Sequence, residues 1–183
     1  MNLYGLINNS AKYAAQIGGA AILASAFLVS LEVFFRNLGV DMRLHSFELT
    51  NYAFAVAVAF SFSYAVTQRA HIRIDALYQL MPVSIRAVLD VFSLLLLAVL
   101  STGMAYYAWK VVVYSAQLGA RPNSTLNIPL SVPQGLWALG LTWFALVSVA
   151  LAFRSTVQLL RGSFTTVHGE NGVLNGDATE VFR

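Results

Sequence analysis

Along the chain, apolar residues come in four long blocks separated by short polar segments, not in the stripes of period 3.6 or 2 that mark surface helices and strands. The blocks run from about 13 to 35, 47 to 67, 88 to 114 and 134 to 153. Each holds an uncharged stretch close to the roughly 20 residues with which a helix crosses about 30 Å of hydrocarbon. Lipid offers no hydrogen bonds to a bare backbone, so a spanning segment of this kind pairs its own N–H and C=O groups as a helix. The pattern therefore predicts an all-α integral membrane protein with four transmembrane helices in a domain covering residues 1–161. Beyond Arg161 the chain reads "GSFTTVHGENGVLNGDATEVFR", polar and glycine-rich with little to bury, and residues 162–183 are expected to form a disordered cytoplasmic tail.

The first block invites comparison with a secretory signal, because Ala24-Ser25-Ala26 imitates a cleavage site behind an apolar region. Only Lys12 precedes that region, however, and "FLVSLEVFF" carries the hydrophobicity on past the cut, where a mature secreted domain turns polar. An uncleaved first span is the expectation.

Composition agrees with the blocks. Of 183 residues, 58% are hydrophobic and only 10% charged, and the mean hydropathy of +0.67 lies well above that of ordinary soluble domains. Cysteine is absent, which excludes disulfides, thiolate nucleophiles and cysteine metal sites. The formal charge of +3 does not indicate nucleic acid, since the lysines and arginines stand singly at block edges, where they serve topology. Lys12, Arg69, Arg73, Arg86, Arg154 and Arg161 fall on one side of a four-span arrangement, against Arg36, Arg43, Lys110 and Arg121 on the other. This bias predicts that both termini and the second loop, "TQRAHIRIDAL", are cytoplasmic. Tyr106, Tyr107, Trp109 and Tyr114 at the end of span three and Trp137 at the start of span four fit an interfacial belt on the opposite side. The third loop holds Pro122, Pro129 and Pro133 and is expected to be extended and non-helical.

Candidate chemistry is sparse. His45, His71 and His168 all fall outside the spans, which argues against a haem-holding bundle, and no metalloprotease, phosphate-loop or dinucleotide motif is present. No catalytic constellation and no cofactor site is expected. Glu32, Glu48 and Asp90 lie near span edges, where a carboxylate reaches water or a basic partner at small cost, so an anchoring or pairing role is preferred over a proton relay. In span two, Ala53, Ala57, Ser61 and Ala65 recur every four residues, with Ala55, Ala59 and Ser63 alongside. Such faces let helix backbones approach closely in lipid. Gly140, Ser148 and Ala152 repeat the pattern more weakly in span four. The short first loop makes spans one and two antiparallel neighbours, and Arg36 is expected to bridge to Glu48 with Glu32 steadying the guanidinium.

This ordering resembles the small membrane subunit of tripartite ATP-independent periplasmic (TRAP) transporters, the DctQ-like family. "EVFFR" (Glu32 to Arg36) closes the first span, "FEL" with Glu48 opens the second, "HIRID" (His71 to Asp75) follows it, and "LNIPLSVPQGLWALG" leads into the fourth. The family often opens span two with a tryptophan and two acids, whereas "HSFELT" has Phe47 and Glu48 alone. The resemblance implies a non-enzymatic scaffold subunit in the bacterial inner membrane. Its partners would be a large multi-span permease subunit and a periplasmic solute-binding protein, in sodium-driven uptake of an organic anion such as a carboxylate. It further implies that Glu32, Arg36 and Glu48 belong to the periplasmic edge and that His71, Arg73 and Asp75 shape the cytoplasmic turn, as subunit-contact or structural residues. Two other classes compete: a self-sufficient four-span exporter, which needs a glutamate near mid-span where Glu32 stands close to the end, and a membrane subunit of a respiratory complex, which the histidine positions disfavour.

Overall fold

The computed structural model describes residues 3–39, 45–68, 81–122 and 127–161, and within them the four expected helices form. They are α1 (Leu3–Asn37), α2 (Ser46–Thr67), α3 (Val83–Gln117) and α4 (Ser131–Leu160). Each is long and apolar enough to cross a membrane, and the protein is a multi-pass membrane protein. The second loop from 69 to 80, with His71, Arg73 and Asp75, and the tail from 162 onward lie outside the described residues.

The helices overrun the predicted spans. α1 begins at Leu3 and α3 at Val83, so polar residues such as Asn8, Ser10, Lys12 and Arg86 continue the helix past the hydrocarbon boundary instead of ending it. Hydropathy marks where lipid stops; backbone hydrogen bonding marks where a helix stops, and the two differ by several residues here. At the end of α3 the stop is explicit. Gly119 adopts φ +58°, its N–H bonds to the Ala116 carbonyl, and the Ala120 N–H reaches back to the Ser115 carbonyl at 2.9 Å. That is a Schellman closure, which glycine enters without the Cβ penalty of the left-handed region. The Leu130 N–H then bonds to the Ala120 carbonyl at 3.0 Å, tying the two ends of the connection together just before α4.

Neighbour relations run α1 to α2, α2 to α4 and α4 to α3, so the helices stand in a row with α1 and α3 at its edges. α4 is the hub, with half of its most apolar stretch buried against 11% of that of α1. Small residues permit this packing. The two neighbouring faces of α2 serve different partners: Ala57 lies against Gly18 of α1, where an added Cβ would sit 3.1 Å from the Ala57 backbone. Ala59 and Phe60 lie against Gly140 of α4, where an added Cβ would come within 2.8 Å of the Ala59 Cβ. On α3, Ala87, Val91, Leu94, Ala98, Ser101, Ala105 and Ala108 are buried at alternating steps of four and three. Ala138, Leu141, Ala145, Ser148, Ala152 and Ser155 on α4 are buried at steps of three and four. These are coiled-coil-like seams in which small side chains bring the backbones close. The rest of the core joins Val66 of α2, Leu94 of α3 and Phe144, Val147 and Leu151 of α4, with Ile7 of α1 packed on its flank. Most of the larger apolar side chains, among them Phe27, Val99, Leu100 and Phe153, point outward.

Candidate functional site

The end of the bundle where α1 and α3 finish and α2 and α4 begin gathers most of the described sequence candidates. There α2 starts without a side-chain cap of its own, because His45 occupies the N-cap position in a left-handed conformation (φ 50°, ψ 33°) with its imidazole unengaged in capping. The first N–H groups of a helix have no partner within it, and the helix dipole concentrates positive potential there. Glu32 of α1 fills the role from across the hairpin: its Oε2 accepts the Ser46 N–H at 2.9 Å, and Ser46, only 4% exposed, adds its hydroxyl to the same carboxylate. Arg36, one turn along α1, and His45 lie near enough for their charges to act on Glu32. Glu48, inside the first turn of α2, accepts the Tyr52 hydroxyl at 2.6 Å. Loop length sets which helices pair, but the left-handed turn at His45 decides which backbone N–H faces the acid.

At the opposite end the same helix pair is tied by the Gln68 side-chain amide, which donates to the Asn8 side-chain oxygen Oδ1 at 3.0 Å. Between α3 and α4 the Trp109 indole N–H donates to the Thr142 hydroxyl at 3.0 Å, and that hydroxyl donates to the Ala138 carbonyl. Lys110 extends its ammonium over the Tyr106 ring, 4.7 Å from the centroid, within a wall of exposed aromatic residues that includes Tyr107 and Tyr114. A cation held over rings suits the level of lipid headgroups.

Asp90, expected near a span edge with water or a basic partner in reach, is not at water: it is 1% exposed and shares the buried side of α3 with Ala87 and Val91, which pack against Leu159 of α4. The signal was present: Asp90 follows Ala87 by three residues and precedes Leu94 by four, the spacing of the buried seam. The α3 seam and Gly18 do not stand out in the sequence, and only Ser148 and Ala152 of the α4 seam do, because small residues are common throughout bilayer helices.

Among the described residues no three acidic or histidine side chains gather as a metal site. The middle of each helix is free of charge, with no charged residue between Lys12 and Glu32, Glu48 and Arg69, Asp90 and Lys110, or Arg121 and Arg154. Residues 25–158 match the family model described as tripartite ATP-independent periplasmic transporters, DctQ component. No curated protein and no solved structure matched the chain.

Proposed function

Because the chain belongs to the DctQ component family of tripartite ATP-independent periplasmic transporters, we propose that it is the small scaffold permease subunit of a sodium-driven system importing organic anions such as carboxylates. In this reading it joins a large multi-span permease subunit, receives no substrate itself, and works with a periplasmic solute-binding protein. It resides in the bacterial inner membrane with both termini cytoplasmic and performs no chemical reaction. The observation that carries the reading is the distribution of charge. A transporter that moves an anion with a cation needs polar groups along a path through the bilayer, since an ion at the bilayer centre costs about 3 kcal/mol or more. This chain keeps the middle of each helix free of charge, with Asp90 buried about two turns inside the start of α3, and lines its helix contacts largely with alanine, glycine and serine.

A self-sufficient exporter built around a first-span glutamate fits less well, because Glu32 stands at the end of α1 and is engaged with Ser46 of the same chain. Within the proposal, the end carrying Arg36 and Glu48 and the turn carrying His71, Arg73 and Asp75 are subunit-contact or structural residues. Affinity capture of this chain from membranes co-expressing the large permease tests the reading. Recovery of the permease supports it, and recovery of this chain alone, under conditions where both are present and folded, contradicts it. Alanine at His71, Arg73 and Asp75 together is expected to lower that recovery, and unchanged recovery would assign the turn no contact role.

A further inference from the structure

The last turns of α3 present a face that the rest of the bundle does not use. Ala105, Ala108 and Ser115 are buried, whereas Tyr106, Lys110, Tyr114 and Gln117, spaced by four, four and three residues, are exposed, with Tyr107 beside them. These five line a shallow surface hollow of ≈ 640 Å³. Since α3 stands at the edge of the row, the hollow faces away from the other helices.

Its depth follows from the sequence. Residues 91–109 are uncharged, and at about 1.5 Å per residue they cover about 28 Å, close to the thickness of the hydrocarbon, so Lys110 stands at its boundary. A lysine there commonly extends its ammonium outward into water. Lys110 instead folds back along the helix, with Nζ 4.7 Å from the centroid of the Tyr106 ring and 5.7 Å from that of Tyr107. Both rings precede it in α3 and lie on its hydrocarbon side. They offset part of the lost hydration, but an ammonium carries three donors, and those turned from the rings need acceptors at this level. The chain offers no counter-charge. No acidic residue occurs between Asp90 and Glu170, and Glu32 and Glu48 belong to α1 and α2, which α4 separates from α3. The next charge along the chain is another cation, Arg121, which is exposed.

We propose that this face of α3 binds the headgroup of an anionic phospholipid, phosphatidylglycerol being the simplest, with the Lys110 ammonium donating to its phosphate oxygens while the tyrosine rings hold the ammonium in place. The hollow is far larger than the roughly 30 Å³ share of a water and is walled mostly by aromatic and aliphatic side chains, which suits a ligand with apolar bulk better than a free phosphate ion. Zwitterionic lipids also carry a phosphate, but their ammonium or choline brings a further positive charge to a surface with Lys110 and Arg121 and no acid to receive it.

Native mass spectrometry of the full-length protein, released from mixed micelles containing equal amounts of phosphatidylglycerol, phosphatidylethanolamine and phosphatidylcholine, reads this directly. The wild-type chain is expected to retain phosphatidylglycerol preferentially. Lys110→Gln is expected to lose about fivefold of that preference, the worth of one basic side chain at an anionic membrane surface, and Lys110→Arg is expected to keep it. Lys12→Gln removes the same charge far from the hollow and is expected to leave the preference unchanged. Equal retention of the three lipids by the wild type overturns the assignment. Equal losses in Lys110→Gln and Lys12→Gln overturn it too, since net charge would then be the cause. Displacement of the retained lipid by inorganic phosphate would give the ammonium to a free anion instead.

Discussion

At the scale of single residues, Glu32 is a side chain that ties the hairpin of α1 and α2 together. It supplies to Ser46 the acceptor that a serine, threonine or aspartate at the N-cap usually supplies locally, and His45 in its left-handed conformation does not. Loss of such a cap typically costs about 1 to 2 kcal/mol, which in a domain of this size lowers Tm by roughly 2 to 8 °C. Glu32→Ala is therefore expected to lower the melting temperature of the detergent-purified protein by that order, while Glu32→Gln, which keeps an acceptor oxygen, retains more of it. Equal losses in the two variants would mean that charge, not the hydrogen bond, is what α2 needs. Glu32 was legible as an edge acid, because a lone carboxylate after an apolar run is conspicuous. Its partner was not, because the acceptor faces a backbone N–H and leaves no mark in residue types. Spacing alone suggested Arg36 and Glu48 as a pair, and that bridge stands as a proposal: a double-mutant cycle on co-purification with the large subunit is expected to show coupling, and strictly additive losses would remove it.

At the scale of elements, the four helices were legible because lipid demands long apolar segments, and the α1–α2 pairing followed from their short connection. The contact of α2 with α4 was not legible. These helices are separated by α3 in the chain, and what joins them is a close approach at Gly140 that hydropathy does not register. Gly140→Leu is expected to force α2 and α4 apart, at a cost of about 1 to 3 kcal/mol or more for overpacking. Gly103, on α3, has no neighbour within 4 Å of an added Cβ, so Gly103→Leu is expected to leave thermal stability nearly unchanged. Comparable melting temperatures for the two variants would show that the α2–α4 approach is not tight. The two small-residue faces of α2 were visible as alternating alanine and serine positions, but only the packing assigns Ala57 to α1 and Ala59 to α4.

At the scale of the whole molecule, a row of helices with outward apolar faces and a middle free of charge is suited to extend a larger protein within the bilayer. Its orientation is proposed from the basic residues, and the absence of native cysteine makes the test clean. With single cysteines at Ser10, Ala70, Ser124 and Ser163, an impermeant thiol reagent applied to intact cells is expected to label only Ser124→Cys, and labelling of Ala70→Cys would invert the topology. The central claim, that this chain supports transport without performing it, is tested most directly by uptake of a labelled organic anion into proteoliposomes under an inward sodium gradient. The purified chain alone is expected to give no uptake above empty vesicles, with activity emerging only when the large permease subunit and the solute-binding protein are present. Sodium-dependent accumulation by this chain alone would contradict the account.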